Sequence, residues 1–368
     1  MLKRRKQPHV RFKTPPGEPA CAASGARDDR LDLIRGLALL IIIVDHWPDA
    51  GLARFTPRAM GLSDMAEAFV FVSGVSLGLA GMRRLLRDGW WATASRAVRR
   101  ALQIWGAFVL TTVGLVLLRS GPGEWKWADW GRPGSDALLL RSGAGNLGIL
   151  PMYFVLVVAA PLLLRGARTH PGALTVSSLA MWACVQVWPE ATALPEPWRI
   201  AWGYHPAAWQ TLFVLGLLIG SRLARKRSEL SAALPWRALA ALAVVGTMLV
   251  MGTSVLRDAA PETTTAWARK STLGPLRLAH FGGLAALGVV ACSLWPTFAR
   301  RWWLAPLRRC GQWPLTVFCT GELFVAMAIA RRSPDADGGG PGLAAALVAC
   351  IAAAEIAQVI RGRFKRTA

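Results

Sequence analysis

Arg35 and His46 stand eleven residues apart in one otherwise apolar run, LDLIRGLALLIIIVDHW. On an α-helix that spacing makes about three turns, so both side chains lie near one face, roughly 16 Å apart along the axis. A charge inside a bilayer-length helix costs at least ~2.5 kcal/mol on insertion scales, and it is kept where a pathway, a site or a partner uses it. Asp32 lies three residues before Arg35 and Asp45 directly precedes His46, which gives the helix a polar pair at each end. An imidazole titrates near neutral pH, and a neighbouring carboxylate can orient it and stabilise its cation, so this pairing suits a general base. The plainer alternative leaves Asp32 and Arg35 among lipid headgroups and His46 at the far interface. On this helix alone the two readings stand level.

The elements that must position these residues are long and apolar. The chain has 368 residues, 54% of them hydrophobic, 18 Trp and a mean hydropathy of +0.36. Ten runs are candidates to span a bilayer: 31–47, 62–82, 97–118, 147–164, 173–188, 206–224, 236–255, 273–295, 310–330 and 342–360. Several approach the ~20 residues a span requires, while the first and fifth are short and lean on interfacial Trp. The expected fold is therefore all-α, a polytopic membrane protein with about ten transmembrane helices. Residues 31–360 form its membrane domain, flanked by basic tails at 1–30 and 361–368. The N-terminal tail is rich in Pro and Gly and lacks the apolar core of a signal peptide, so a disordered segment is expected there.

A net charge of +22 invites a nucleic-acid reading, but the placement of the charges argues for topology instead. Of the 43 Lys and Arg, 28 fall in the two tails, the even-numbered loops or the run ends bordering them (Arg99, Arg100, Arg222), 12 in the odd-numbered loops, and three (Arg35, Arg237, Arg277) elsewhere within runs. The positive-inside rule then puts both termini in the cytoplasm, with anionic membrane lipids as partners of the basic face. The six cysteines show no C-x-x-C spacing and fall mostly in or beside the runs, so a metal site is not expected.

With that orientation, polar residues gather at the outer face. Asp45 and His46 end the first run, and Asp64 and Glu67 open the second. Asn146 and Tyr153 come in with the fourth, His205, Trp209 and Gln210 with the sixth, Arg277 and His280 with the eighth, and Glu322 with the ninth. Each alone has an ordinary structural reading: a carboxylate favours a helix N-terminus, and a long cation can snorkel. Together, the ionisable residues inside runs call for partners or water, and an outward pocket is the more economical account. Ser73 and Ser76, in FVFVSGVSLG, read as small residues for helix packing rather than nucleophiles. Direct transfer, with His46 deprotonating an acceptor hydroxyl, fits better than a covalent enzyme intermediate. Arg35 would meet an anionic donor from the cytoplasm.

The segments RLDLIRGLALLIIIVDHWP and GLSDMAEAFVFVSGVSLG resemble the opening of OpgC-type proteins of the integral-membrane acyltransferase superfamily, and similar blocks follow to about residue 330. The resemblance implies about ten transmembrane helices and O-acyl transfer, with succinylation of osmoregulated periplasmic glucans as the namesake reaction. It implies acyl-CoA, succinyl-CoA above all, as donor substrate rather than a bound cofactor, a glycan acceptor, and the bacterial inner membrane as location. Carried over by position, His46 is the base, and Arg35 with Asp32 serves the donor. Asp45 and Glu67 are expected as orienting carboxylates, and Asp64, Tyr153, His205, Arg277, His280 and Glu322 as pocket-lining residues. One departure is Gly311-Gln312-Trp313-Pro314-Leu315, where the family block reads Gly-x-x-Ser-Leu, so the start of that helix is expected to differ. In 119–146, Trp125, Trp127 and Trp130 suit sugar stacking or an interfacial belt, with the belt slightly favoured. A proton-coupled transporter using His46, Glu67 and Glu322 is the competing reading, weakened by the lack of inverted repeats.

Overall fold

The computed structural model describes residues 28–120, 131–142, 145–226, 235–260, 267–331 and 340–367. Most of the expected N-terminal tail, and Trp125, Trp127 and Trp130, lie outside the described residues. Among the described residues the regular structure is entirely helical. The main helices are α1 (Asp29–His46), α2 (Met65–Ser120), α3 (Ile149–Thr169), α4 (Pro171–Val187) and α5 (Pro206–Lys226). They continue as α6 (Trp236–Ala259), α7 (Pro275–Leu294), α8 (Ala305–Gln312), α9 (Pro314–Ala330) and α10 (Gly340–Thr367). The helix α10 runs on through most of the expected C-terminal basic tail.

All ten apolar runs fall on helices, but they do not make ten separate long apolar helices. Among the described residues six helices are long and apolar enough to cross a membrane, or seven if α8 and α9, bent by 86° at their junction, count as one. Three local causes account for the difference. The second and third runs join in the 56-residue α2, interrupted only at Gly89, whose φ of 82° is open to glycine without strain. The 18 residues of α1 include Asp29, Arg30, Asp32, Arg35 and Asp45, too many charges for a simple span. Helix α4 has 17 residues, short for a bilayer crossing.

Small residues set the closest crossings. Gly74 and Gly78 of α2 face Gly216 and Gly220 of α5, and a Cβ at any of the four would strike the partner helix's backbone. This pairs two G-x-x-x-G stripes, the arrangement by which helices approach most closely in lipid, where dispersion contacts must replace the hydrophobic drive. Gly36 and Gly311 serve α1 and α8 in the same way: a Cβ at Gly36 would meet the Leu307 carbonyl, and one at Gly311 the Asp32 carbonyl. Helix α1 runs through the middle, packed on α2, α8 and α9, with Leu39 and Ile43 fully buried. Helices α6 and α7 pair with each other but leave apolar side chains such as Val245, Met248 and Val289 exposed, as lipid-facing helices do.

Loop backbone and the end of the short helix Gly131–Leu138 are held by tryptophan. The indoles of Trp105, Trp198 and Trp202 donate to three successive carbonyls, Leu138, Leu139 and Leu140, at 3.0, 3.1 and 2.7 Å. Those of Trp182 and Trp209 donate to the Leu273 and Lys270 carbonyls, each at 2.9 Å.

Gly216→Val is expected to lower stability by about 1–3 kcal/mol through overpacking against α2. Gly252→Ala, where a new Cβ meets nothing within 4 Å, should leave stability unchanged or raise it, since alanine favours a helix. Thermal midpoints in detergent check both, and equal midpoints for the two variants would dismiss the stripe as the determinant of this crossing.

Candidate active site

Arg35 is fixed by the break between α8 and α9. Pro314 has no N–H to continue a helix, and the Trp313 N–H closes α8 onto the Arg309 and Cys310 carbonyls at 3.1 and 3.3 Å. The Gly311 carbonyl, among the last of α8, is left for a side chain. Arg35 Nη1 donates to it at 2.9 Å, while Nη2 donates to Ser76 Oγ at 2.8 Å and lies 3.3 Å from Asp32. Placing a cation at a helix C-terminus also suits the helix dipole. At Trp313–Pro314 the chain bends by 86°, and the Gly311 carbonyl freed there holds Arg35. Ser76 contributes a hydrogen bond as well as a small side chain.

Above Arg35 lies a largely apolar cavity of about 250 Å³ between α1, α2, α3, α5 and α9, with Arg35 and Arg100 in its wall and Tyr153 and Ser73 among the polar lining. Ile42, Ile149 and Phe318 line this cavity and also a small second one that contains Asp45, His46, Asn146 and Lys270. His46 and Asn146 then line a third, of about 900 Å³. Three apolar side chains are therefore common to the Arg35 compartment and the His46 compartment.

The carboxylate against His46 is Glu322. His46 Nδ1 lies 2.8 Å from Glu322 Oε1, a pairing in which a carboxylate accepts from the imidazole tautomer protonated at Nδ1. Glu322 Oε2 accepts from Asn146 through its backbone N–H at 3.3 Å and its amide at 3.2 Å. Glu322 is buried on α9, and this bonding leaves His46 Nε2 for the cavity. The contacts expected from Asp45 and Glu67 are not made. Asp45 accepts from the Thr56 hydroxyl at 2.5 Å, pointing to the loop after α1.

Glu67 and Asp64 instead build the start of α2. Asp64 Oδ1 accepts from the Ala66 N–H at 2.8 Å, and Glu67 Oε2 accepts from the Asp64 N–H at 2.9 Å, a reciprocal capping box. Arg277 of α7 is hydrogen-bonded to Glu67 and lies 3.1 Å from Asp64, and Lys270 lies 2.6 Å from Asp64. Burial disfavours the charged Lys270 ammonium, but Tyr204 and Asp64 outweigh it and hold its pKa above the usual lysine value. This network ties α2, α7 and the 267–274 segment together as one wall of the large cavity.

The remaining expected residues divide. Asp64 and Arg277 line the large cavity, whereas Tyr153 lines the inner one. Glu322 borders a further small pocket with Gly145 and Asn146. His280 is buried and bonded to Ser63 Oγ at 2.5 Å, pressed so closely on Gly61 that no side chain fits there. His205 bonds the Thr192 carbonyl through Nε2 at 2.7 Å and serves loop structure. Sequence reasoning missed Arg58, Arg100, Lys270 and Tyr204 as lining residues. For Lys270 the signal was present, because it begins the polar block that holds Arg277.

Glu67→Gln should cost roughly 3 kcal/mol or more, because Arg277 would keep its buried charge with a partner removed. A thermal midpoint in detergent reads this directly, and an unchanged value would reduce the network to a surface-like contact.

No curated protein matches the chain. A family profile described as OpgC protein matches residues 27–126 and 135–366. That match takes in α1 with Arg35 and His46, the α2 capping box, and Glu322 on α9. The chain belongs to the OpgC family, and membership implies a membrane acyltransferase acting on glucans.

Proposed function

We propose that this protein is a multi-pass O-acyltransferase of the bacterial inner membrane. It moves an acyl group, succinyl as the leading candidate, from cytosolic acyl-CoA to a hydroxyl of an extracytoplasmic glycan such as an osmoregulated periplasmic glucan. The observation that carries the reading is the His46–Glu322–Asn146 chain, set at the end of compartments that share Ile42, Ile149 and Phe318. The excess of Lys and Arg beside the even-numbered loops supports an orientation with both termini and the Arg35 end cytoplasmic. About ten membrane crossings then require α1, both arms of α2, α4 and the bent α8–α9 pair to serve as spans with the other helices.

In this mechanism the phosphates of acyl-CoA stay at the Arg35 and Arg100 end, and the acyl thioester extends through the apolar compartment toward His46. His46 Nε2 takes the proton of the acceptor hydroxyl while Glu322 holds the Nδ1–H and stabilises the imidazolium. The hydroxyl oxygen attacks the thioester carbonyl, the C–O bond forms and the C–S bond breaks. The proton on His46 passes to the departing thiolate, which leaves as free CoA thiol. The apolar lining keeps water from the thioester, so acyl transfer outruns hydrolysis.

Purified protein with acyl-CoA and a glucan acceptor should release thiol in an acceptor-dependent way, and His46→Ala should abolish the release without loss of fold. Full release by His46→Ala would reject the base assignment. Glu322→Gln is expected to slow transfer by about 10²-fold or more, within the usual range of positioned acid–base catalysis. Ile42→Trp, which fills the shared wall, should stop transfer while acyl-CoA still binds. If it transfers normally, the acyl group does not pass between these compartments.

A further inference from the structure

The large cavity beside His46 carries an excess of positive charge. Its lining includes five cations, Arg58, Arg257, Arg269, Lys270 and Arg277, and one carboxylate, Asp64. Lys270 and Arg277 are answered by Asp64 and Glu67, and Arg257 pairs with Asp258 at 2.9 Å. Arg58 and Arg269 make no ion pair within 4 Å among the described residues, and Arg58 feels the Asp45 carboxylate only at longer range. Arg58 gives one N–H to the Asp45 carbonyl at 3.1 Å and retains its other donors. The placement is also selective along the chain. Of the 12 Lys and Arg beside the odd-numbered loops, four (Arg58, Arg257, Arg269, Lys270) line this one cavity. A cavity walled by one sign of charge concentrates ligands of the other, and a guanidinium matches a carboxylate or phosphate through paired donors.

We propose that this cavity takes a ligand bearing a negatively charged group, a carboxylate or a phosphate, and that Arg58 and Arg269 meet that group. The inference rests on the reading of the cavity as the place where acceptor and acyl group meet. The charge has two possible sources, a substituent on the glycan acceptor or the distal carboxylate of a dicarboxylic acyl group. The two arginines separate them. Arg58 lines both the small cavity with His46 and the large one, whereas Arg269 lines the large one and not the small. An anion on the acceptor engages both residues, and an anion on the acyl group engages Arg58 alone.

The test measures binding, so it does not depend on turnover. In one arm, a carboxymethylated β-glucan oligomer and its neutral parent are titrated onto purified protein in detergent. In the other, succinyl-CoA and butyryl-CoA are compared, which differ in the distal carboxylate. Wild-type protein should favour the anionic member by about tenfold or more in at least one arm, and the preference should weaken as salt rises. In the acceptor arm, Arg58→Gln and Arg269→Gln should each reduce the ratio and together bring it to about one. In the donor arm only Arg58→Gln should do so. Thermal midpoints near wild type guard against misfolding. A ratio of about one in both arms for wild-type protein overturns the proposal, as does a preference that survives both substitutions. A preference that responds to the arginines without thiol release from any donor would sustain this cavity assignment and reject the transferase reading.

Discussion

The guanidinium of Arg35 sits on a carbonyl that exists as a free acceptor only because the chain breaks between α8 and α9. Trp313 and Pro314 end one helix and start the next at 86°, and the Gly311 carbonyl is left without a turn above it. Arg35 fills that position and binds Ser76 on α2 with its second nitrogen. One side chain of α1 is thereby fastened to the α8 end of the bend and to α2. Glu322 lies on α9, beyond the same bend, and meets His46 at the opposite end of α1. The geometry of the histidine is thus governed from both ends of its helix by the two halves of a broken element. An unbroken α8–α9 helix would offer no carbonyl to Arg35 and would carry Glu322 along a different axis.

Close approach at glycine makes this arrangement possible. The Gly36–Gly311 contact brings α1 and α8 within reach of the Arg35 bond, and the α2–α5 crossing at the paired stripes sets Phe213 of α5 beside Ser73, Ser76 and Leu77 of α2 in the lining of the inner compartment. Glycine destabilises a helix interior by roughly 1 kcal/mol relative to alanine. Backbone contact along a whole crossing offsets that cost. The α2 capping box adds a second fixed point. Through Arg277 and Lys270 it joins the start of α2 to α7 and to the loop before it, so the His46 end has a cross-linked wall.

Much of this was legible in the residues, and the illegible part has a definite form. The ten apolar runs all became helices because length and hydropathy are local properties. The crossings could not be counted the same way, since α1 carries its charges into the bundle and the second and third runs meet at the Gly89 kink of α2 with no loop between them. Asp64 and Glu67 were visible as a pair three residues apart, which is capping-box spacing. Read for chemistry, Glu67 was assigned to His46 and Asp64 to the pocket lining, while backbone N–H groups at the start of α2 claim both first. The Glu322 contact joins residues 276 apart in sequence, and no local pattern encodes it. His280 illustrates the same limit: a histidine inside an apolar run drew a functional reading, but Ser63 and the bare backbone of Gly61 enclose it.

Tryptophan has a further consequence at the His46 end. Five indole N–H groups are spent on carbonyls at a helix end or in the loops, three of them on consecutive residues, Leu138 to Leu140, where the short helix Gly131–Leu138 ends. An indole has two torsions and a wide flat body, so each such bond immobilises backbone at small conformational cost to the side chain. The entropy of ordering these segments is lost when the chain folds, rather than when a ligand arrives. The surface around His46 is therefore preorganised in the manner of a mould, and its discrimination between ligands comes from misfit against a fixed outline more than from closure around whatever enters.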